Sequence, residues 1–425
     1  MLTRFLSLPL IVRLALFAWA ALLVGVSVRV AVVLPWKGTV VNIYITAAER
    51  WLVGDNVYLW QPGMDLYRNP PGVTPLLTPL TLVPQKLAGI LWRLASAAVF
   101  LLGLRAWLRS LPSPLTVPQT GAVFLLSLPL ALASLNNGQM NLLLAGLLML
   151  GTAAVARERF HGGSLMLASA AGLKLYPAAV GLLLAAAYPR RILPGLFMGI
   201  AAFAVLPFLC QRTDYVLDMH RSLAFSMKHD ERTHDDINRA PQDAFLILHA
   251  LGSDPGKPAY QGVQLALAAG MALLVRWKSR AGGTPTEIAF LAFHLGCVWM
   301  TVFGPASEGP TYTLLAPSAA LVLTTAHANR SQSQGRFLLA LAAYMLMISP
   351  ILRDAFPRGA VYRALGPLPA GGLLLLAVVV WDALRPSRAV NDGLFTATLS
   401  LPESRIAMVV QPGGQPSSLP PSKCM

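Results

Sequence analysis

Long apolar segments separated by short polar connections run along most of the chain. An apolar run of about 17–25 residues is long enough to cross the hydrocarbon core of a bilayer as a helix. Two segments, 163–173 and 176–188, are shorter and are also compatible with one broken helix. The pattern predicts an all-α polytopic membrane protein, a bundle of about 10–12 transmembrane helices. The candidate spans lie near residues 11–34, 87–108, 120–135, 139–156, 163–173, 176–188, 192–210, 259–276, 286–303, 311–327, 336–352 and 368–384.

Two long loops interrupt this pattern, at residues 37–83 and 211–258. In the first loop, apolar residues at helical spacing between Ile43 and Leu52 predict a short helix, which Gly54 and the two polar residues after it end. Loops of this length are usually either functional or disordered. Because this one also contains aromatic residues and prolines, we predict that it is ordered and functional.

The distribution of charge predicts how the chain is oriented. Of its 425 residues 55% are hydrophobic and 12% are charged, against about 25% charged in soluble domains. The net charge of +15 comes mostly from Lys and Arg in short connections, which is the positive-inside pattern rather than a nucleic-acid-binding face. We therefore predict a multi-pass protein of a bacterial-type plasma membrane, with both termini cytoplasmic and both long loops outside. Residues 1–385 are expected to form the membrane domain, and the Pro-, Gly- and Ser-rich residues 386–425 a disordered cytoplasmic tail.

Lys174 lies between two apolar segments in the sequence AGLKLYPAAV, with Tyr176 and Pro177 after it. An ionisable residue at membrane depth is costly and often functional, unless its amine reaches water. Two interpretations stay open: a lysine that extends to the interface, or a cation that binds a phosphate group there.

Amide side chains cluster in the connection Asn136-Asn137-Gly138-Gln139, followed by Asn141. The simpler interpretation is a polar turn that satisfies the ends of the adjoining helices. Alternatively, Asn137 and Gln139 hydrogen-bond to sugar hydroxyls or to a diphosphate.

The second long loop is rich in residues of both charges, a composition typical of a solvated surface. By residue type His229, His234, Asp235 and Asp236 could ligate a metal ion, but their spacing matches no specific site. The sequence therefore specifies no cofactor and leaves the need for a divalent metal open. The three cysteines are equally scattered, so no disulfide framework is implied.

Three blocks of sequence together resemble glycosyltransferase family 87, which includes polyprenol-phosphate-mannose-dependent mannosyltransferases. The blocks are AERWLVGDNVYLW with LYRNPPGVTPLLTPL in the first long loop, then LNNGQMNLLLAGLLMLG, then AAGLKLYPAAVGLLL. They follow the family's order and separation over residues 40–190. The second half is similar only in layout, through its long loop and the SEGPTYTLLAPSAALVL block.

The resemblance implies a GT-C-like bundle whose outer loops form a groove for a lipid-phosphate sugar donor. It also implies transfer of a hexose, expected to be mannose, to a lipid or glycan acceptor on the non-cytoplasmic face, without a nucleotide. By position in the family's blocks, Lys174 lies near the donor phosphate. The other residues expected to bind the phosphate or shape the groove are Tyr67, Arg68, Pro70, Pro71, Asn137, Gln139, Tyr176 and Arg221.

The chain departs from the family where characterised members carry an aspartate early in the first outer loop. The nearest polar side chain here is Asn42, and an amide cannot take a proton from an acceptor hydroxyl. We favour Asp55 as the base because a turn at Gly54 can aim it into the groove.

Other outer carboxylates and other functions remain open beside this assignment. Asp65 and Glu308 are alternative bases, and Glu49 is a further outer carboxylate. A transporter of a lipid-linked sugar is one alternative function, although no convincing internal repeat supports it. A non-catalytic, lipid-binding relative is the other, because the usual aspartate is missing.

Overall fold

The computed structural model describes residues 7–32, 39–229, 241–253, 255–304, 307–351 and 359–385, and within these ranges the chain forms helices and no named strand. The predicted tail, 386–425, lies outside the described residues. The helices are α1 Leu10–Val32, α2 Val41–Val53, α3 Gln85–Leu108, α4 Val117–Asn137, α5 Asn141–Ala156, α6 Phe160–Leu173, α7 Ala178–Ala187, α8 Pro189–Cys210, α9 Thr213–His229, α10 Ala244–Ala250, α11 Lys257–Arg280, α12 Pro285–Val298, α13 Ala316–Ala328, α14 Gln334–Ile348, α15 Gly359–Ala364 and α16 Pro367–Leu384.

Eight helices of the described chain are long and apolar enough to cross a membrane. They are α1, α3, α4, α8, α11, α12 with its extension to Phe303, α14 with its extension to Ile351, and α16 with the residues from Tyr362 onward. This confirms the predicted all-α polytopic membrane protein. The four remaining predicted spans are the shorter helices α5, α6, α7 and α13, of 16, 14, 10 and 13 residues.

The short helices α5 and α13 lie inside the bundle, with most of their residues buried. α5 packs on α3, α6 and α12, and α13 packs on α4 and α14. The start of α5 lies beside the junction between α6 and α7, because the hydroxyl of Tyr176 donates to Asn141 at 3.0 Å.

The basic connections lie at the other end of these helices. Arg157 follows α5 and donates to the carbonyl of Ala106 at 3.3 Å, and Arg276 of α11 donates to the carbonyl of Ala186 at 2.9 Å. A buried ion pair of 2.7 Å joins Arg336 to Asp382 there. The predicted cytoplasmic connections thus gather at one end of the bundle, away from the amide turn that begins α5.

The two long loops contact each other at the opposite end. α2 agrees with the helix predicted between Ile43 and Leu52, and Gly54 ends it in a left-handed conformation (φ 79°). Gln211, just before α9, donates to the carbonyl of Trp51 at 2.7 Å, and the ring of Tyr215 lies 5.3 Å from that of Trp51. The first loop then returns to the bundle through short helical turns at Pro71–Val73, Thr74–Leu77 and Thr78–Leu82.

Candidate functional site

A cavity of about 500 Å³ lies where the two long loops meet the ends of α4, α5, α6 and α7. This volume is within the roughly 300–1,000 Å³ typical of ligand sites. The cavity also reaches Met300, in the π-helical turn Trp299–Phe303 that extends α12. The predicted site residues that line it are Asp65, Tyr67, Arg68, Asn137, Gln139, Lys174, Tyr176 and Glu308, and Asn42 and Pro70 line it as well.

A chain of amides holds the carboxylate of Glu308. Gln139 Nε2 donates to Glu308 Oε2 at 2.8 Å, and Asn141 Nδ2 donates to Gln139 Oε1 at 2.6 Å. Asn141, which is fully buried, also donates to the carbonyl of Pro310 at 3.0 Å and accepts from the hydroxyl of Tyr176 at 3.0 Å. The chain therefore fixes Glu308 relative to Tyr176, while Gln139 also lines the cavity.

Lys174 provides one cation of the cavity. It ends α6 with an extended backbone (φ −148°, ψ 145°), which redirects the chain before α7. Its ammonium lies 5.6 Å from the centre of the Tyr176 ring. A half-buried ammonium at a cavity wall suits an anionic ligand, because it can donate several hydrogen bonds to phosphate oxygens.

Arg68 provides a second cation in the same cavity. Its Nη1 donates to Asp65 Oδ2 at 2.9 Å in a partly exposed ion pair. The next residue, Asn69, is buried, and its amide donates to the carbonyl of Leu173 at 3.2 Å. This bond ties the first loop to the end of α6 directly before Lys174, and both cations line the same cavity.

Tyr44 adds a neutral hydroxyl to the cavity lining. Burial raises the pKa of Tyr44, and the nearby Tyr176 and Glu308 raise it further, against a backbone hydrogen bond that lowers it. The phenol therefore stays protonated and can donate or accept a hydrogen bond.

Arg93 is a buried cation that the sequence analysis did not single out. Its Nε donates to the carbonyl of Leu135, and its Nη2 donates to the carbonyl of Asn136 and to the hydroxyl of Thr39, each at 2.9 Å. It thereby stabilises the C-terminus of α4, just before the amide turn. An arginine inside the apolar run 87–108 is the signal that could have identified it.

Asp55 and Arg221 are not among the described residues that line the cavity. Asp55 is exposed after the turn at Gly54, and its backbone carbonyl accepts from the hydroxyl of Tyr215 at 2.6 Å. Arg221 is exposed on α9, forms an ion pair of 2.9 Å with Asp218, and lines a neighbouring depression.

One of the four candidate metal ligands lies in the described part of the chain. His229, at the end of α9, has Nδ1 within 2.8 Å of the carbonyl of Phe225 on the same helix. His234, Asp235 and Asp236 fall outside the described residues. Across the described residues, no group of three or more His, Cys, Asp or Glu side chains is placed to hold a metal ion.

The fold and the cavity together define a helical membrane protein with a polar site that contains two cations and two carboxylates. The chain belongs to glycosyltransferase family 87. The family's sequence pattern matches residues 67–305, which is more than half of the chain. The match confirms the resemblance and includes Arg68, the amide turn and Lys174, whereas Asp65 and Glu308 lie just beyond its two ends. A comparison with curated proteins finds no match. The protein is a membrane glycosyltransferase by family.

Proposed function

We propose that the protein transfers a hexose, expected to be mannose, from a polyprenyl-phosphate donor to a lipid or glycan acceptor. The reaction is assigned to the non-cytoplasmic face of a bacterial-type plasma membrane, where the two long loops are predicted to lie. One observation carries the proposal: a single cavity contains the cations Lys174 and Arg68 together with the carboxylate of Glu308. A cation for the leaving phosphate and a base for the acceptor are what this transfer needs.

In the proposed reaction, an acceptor oxygen bonds to the anomeric carbon of the sugar as the bond from that carbon to the phosphate oxygen breaks. The polyprenyl phosphate leaves with the electron pair of that bond, and Lys174 and Arg68 stabilise the added negative charge. The proton of the acceptor hydroxyl passes to a carboxylate in the cavity.

Glu308 is the base that we propose among the three candidates. It lines the cavity, and Gln139 orients one of its oxygens. Asp65 also lines the cavity, but it is paired with the cation Arg68, whereas the Glu308 side chain accepts from the neutral donors Gln139 and the backbone N–H of Thr311. Asp55 lies outside the lining. In this proposal a carboxylate from the second half of the chain replaces the aspartate that is missing at Asn42.

A transfer assay on purified, reconstituted protein with polyprenyl-phosphate mannose tests this assignment. Glu308→Gln keeps a group that can accept from Gln139 but cannot take a proton, so turnover should fall by about 10²–10⁴-fold. Asp55→Asn is the matched control and should retain activity. Full activity in Glu308→Gln and in Asp65→Asn would contradict a base in this cavity. A parent protein without turnover would instead support the non-catalytic, lipid-binding alternative.

A further inference from the structure

A second depression, of about 690 Å³, adjoins the cavity on the side of α9. The two share Leu66 and Ser226 in their walls. The depression is open to its surroundings and includes Arg221, which the sequence analysis assigned to the donor phosphate. A molecule bound in this outer depression could therefore extend past Leu66 towards the carboxylates of the cavity.

One hydrogen bond between the two long loops and two within the first loop hold the residues around the outer depression. Asn56 Nδ2 donates to the hydroxyl of Ser222 at 2.9 Å, and the Oδ1 atom of Asn56 accepts from the backbone N–H of Tyr58 at 2.9 Å. Arg50 Nη1 donates to the carbonyl of Leu59 at 2.7 Å. The residues before Trp60 are thus hydrogen-bonded both to α2 and to α9.

Large aromatic rings project from this fixed frame beside polar groups. Trp60 is 67% exposed and Phe225 is 65% exposed, and both line the outer depression. Asn56, Ser222 and Arg221 lie in the same lining. An aromatic face next to amide, hydroxyl and guanidinium groups suits a pyranose, because its C–H face stacks on the ring while its hydroxyls hydrogen-bond at the edges.

We infer that the outer depression binds the glycan portion of the acceptor, with Trp60 as the stacking platform. The inference rests on the proposed function. The donor phosphate is assigned to the cavity with Lys174 and Arg68, whereas the acceptor must approach from a side that opens onto the same carboxylates. The outer depression meets this requirement through its shared wall at Leu66 and Ser226.

Binding of two glycosides, measured without turnover, tests the inference on the full chain in nanodiscs. The probes are methyl α-mannoside, which has no lipid tail, and octyl α-mannoside, titrated by ligand-observed NMR. Trp60→Ala should weaken both by about fivefold or more, the effect expected from loss of an aromatic contact. Trp277→Ala, which removes another exposed tryptophan from the end of α11 near the basic connections, should leave both affinities unchanged.

Three results would overturn the assignment. The first is that Trp60→Ala binds both glycosides with unchanged affinity. The second is that Trp60→Ala loses affinity only for the octyl glycoside, which would indicate a surface for hydrocarbon tails. The third is that the parent protein binds neither glycoside. Consumption of polyprenyl-phosphate mannose is measured separately. A protein that binds both glycosides through Trp60 but consumes no donor keeps the glycan site and refutes the proposed transfer.

Discussion

At the scale of single residues, Lys174 shows how a backbone junction can place a charge at a membrane protein's site. The helix before it ends and a new helix begins four residues later, so the lysine lies at a break rather than inside a span. Both original interpretations predict an amine near the polar end of the bundle. Only the functional interpretation predicts that removal of the charge weakens donor binding or turnover.

We expect Lys174→Met to weaken donor binding or turnover about tenfold or more, because a charge-assisted hydrogen bond contributes about 1.5–3 kcal/mol. Lys174→Arg should recover part of the loss. The measurement is the KM for polyprenyl-phosphate mannose, with Lys86→Met, an exposed lysine outside the cavity lining, as the control. Unchanged kinetics in Lys174→Met would leave only the interpretation that the lysine extends to the interface.

Asp243 is a buried carboxyl close in the chain to Gln242, which contacts the cavity-lining residue Ser307. Its Oδ1 accepts from the backbone N–H of Phe245 at 3.0 Å and so caps the short helix α10, and the preceding Gln242 donates its N–H to the carbonyl of Ser307 at 2.6 Å. Burial raises the pKa of Asp243 from 3.8 to about 7, against hydrogen bonds from backbone N–H groups that lower it.

The contribution of Asp243 to the free energy of unfolding should therefore fall as the pH rises. A carboxyl whose pKa is higher in the folded state binds its proton more tightly there, so its contribution is fully present below pH 3.8 and is lost as the pH rises through about 7. Thermal unfolding of the detergent-solubilised protein between about pH 5 and 8 measures the effect. Asp243→Asn keeps a capping side chain and should flatten this dependence. An identical pH dependence in both proteins would contradict the role of Asp243.

At the scale of elements, the amide turn depends on how α4 ends. Gly138 has a left-handed backbone (φ 73°), and a Cβ atom added there would lie 2.4 Å from Val41 and 3.0 Å from the guanidinium of Arg93. Glycine is thus required both by the backbone conformation and by the close approach of α2 and α3.

Replacement of Arg93 tests this arrangement. Arg93→Met leaves the carbonyls of Leu135 and Asn136 without their charged donor, which should lower the free energy of unfolding by about 1.5–3 kcal/mol or more. Turnover should fall as well, because the turn that carries Gln139 loosens. The midpoint of thermal unfolding measures the first effect, with Arg109→Met, at the end of α3, as the control. Equal midpoints for the two variants would show that the bonds of Arg93 contribute little.

Local patterns predicted the helices well and the site only in part. The stripe from Ile43 to Leu52 and the stop at Gly54 are properties of neighbouring residues, so α2 was predictable. The place of Asp55 outside the cavity lining was not, because the loop around it is held by contacts with distant residues, such as the hydrogen bond from the Tyr215 hydroxyl to its backbone carbonyl, 160 residues away. The contact between Gln139 and Glu308 spans 169 residues, and no periodicity in the sequence encodes it.

At the scale of the whole molecule, orientation in the membrane is a prediction from charge. Cysteine labelling of intact cells with an impermeant reagent tests it, in a background with Cys210→Ser and Cys424→Ser, because Cys210 is exposed and Cys424 lies in the predicted cytoplasmic tail. Leu59→Cys should react in intact cells, whereas Arg190→Cys should react only after permeabilisation, since it lies among the basic connections. The opposite pattern would place the cavity in the cytoplasm and would refute transfer on the outer face.

A chain of hydrogen bonds through Asn141 links the parts of the cavity that the proposed reaction assigns to the donor and to the acceptor. Tyr176, beside the donor cation, and Glu308, the proposed base, are connected by three consecutive hydrogen bonds. In the proposed reaction, a donor that engages the Tyr176 hydroxyl is expected to alter the hydrogen bonding of the Glu308 carboxylate through this chain. If donor binding changes the affinity for the acceptor by some factor, thermodynamic linkage requires that acceptor binding at Glu308 changes the affinity for the donor by the same factor. When its sign is positive, such reciprocal coupling favours the complex with both substrates over either half-occupied state.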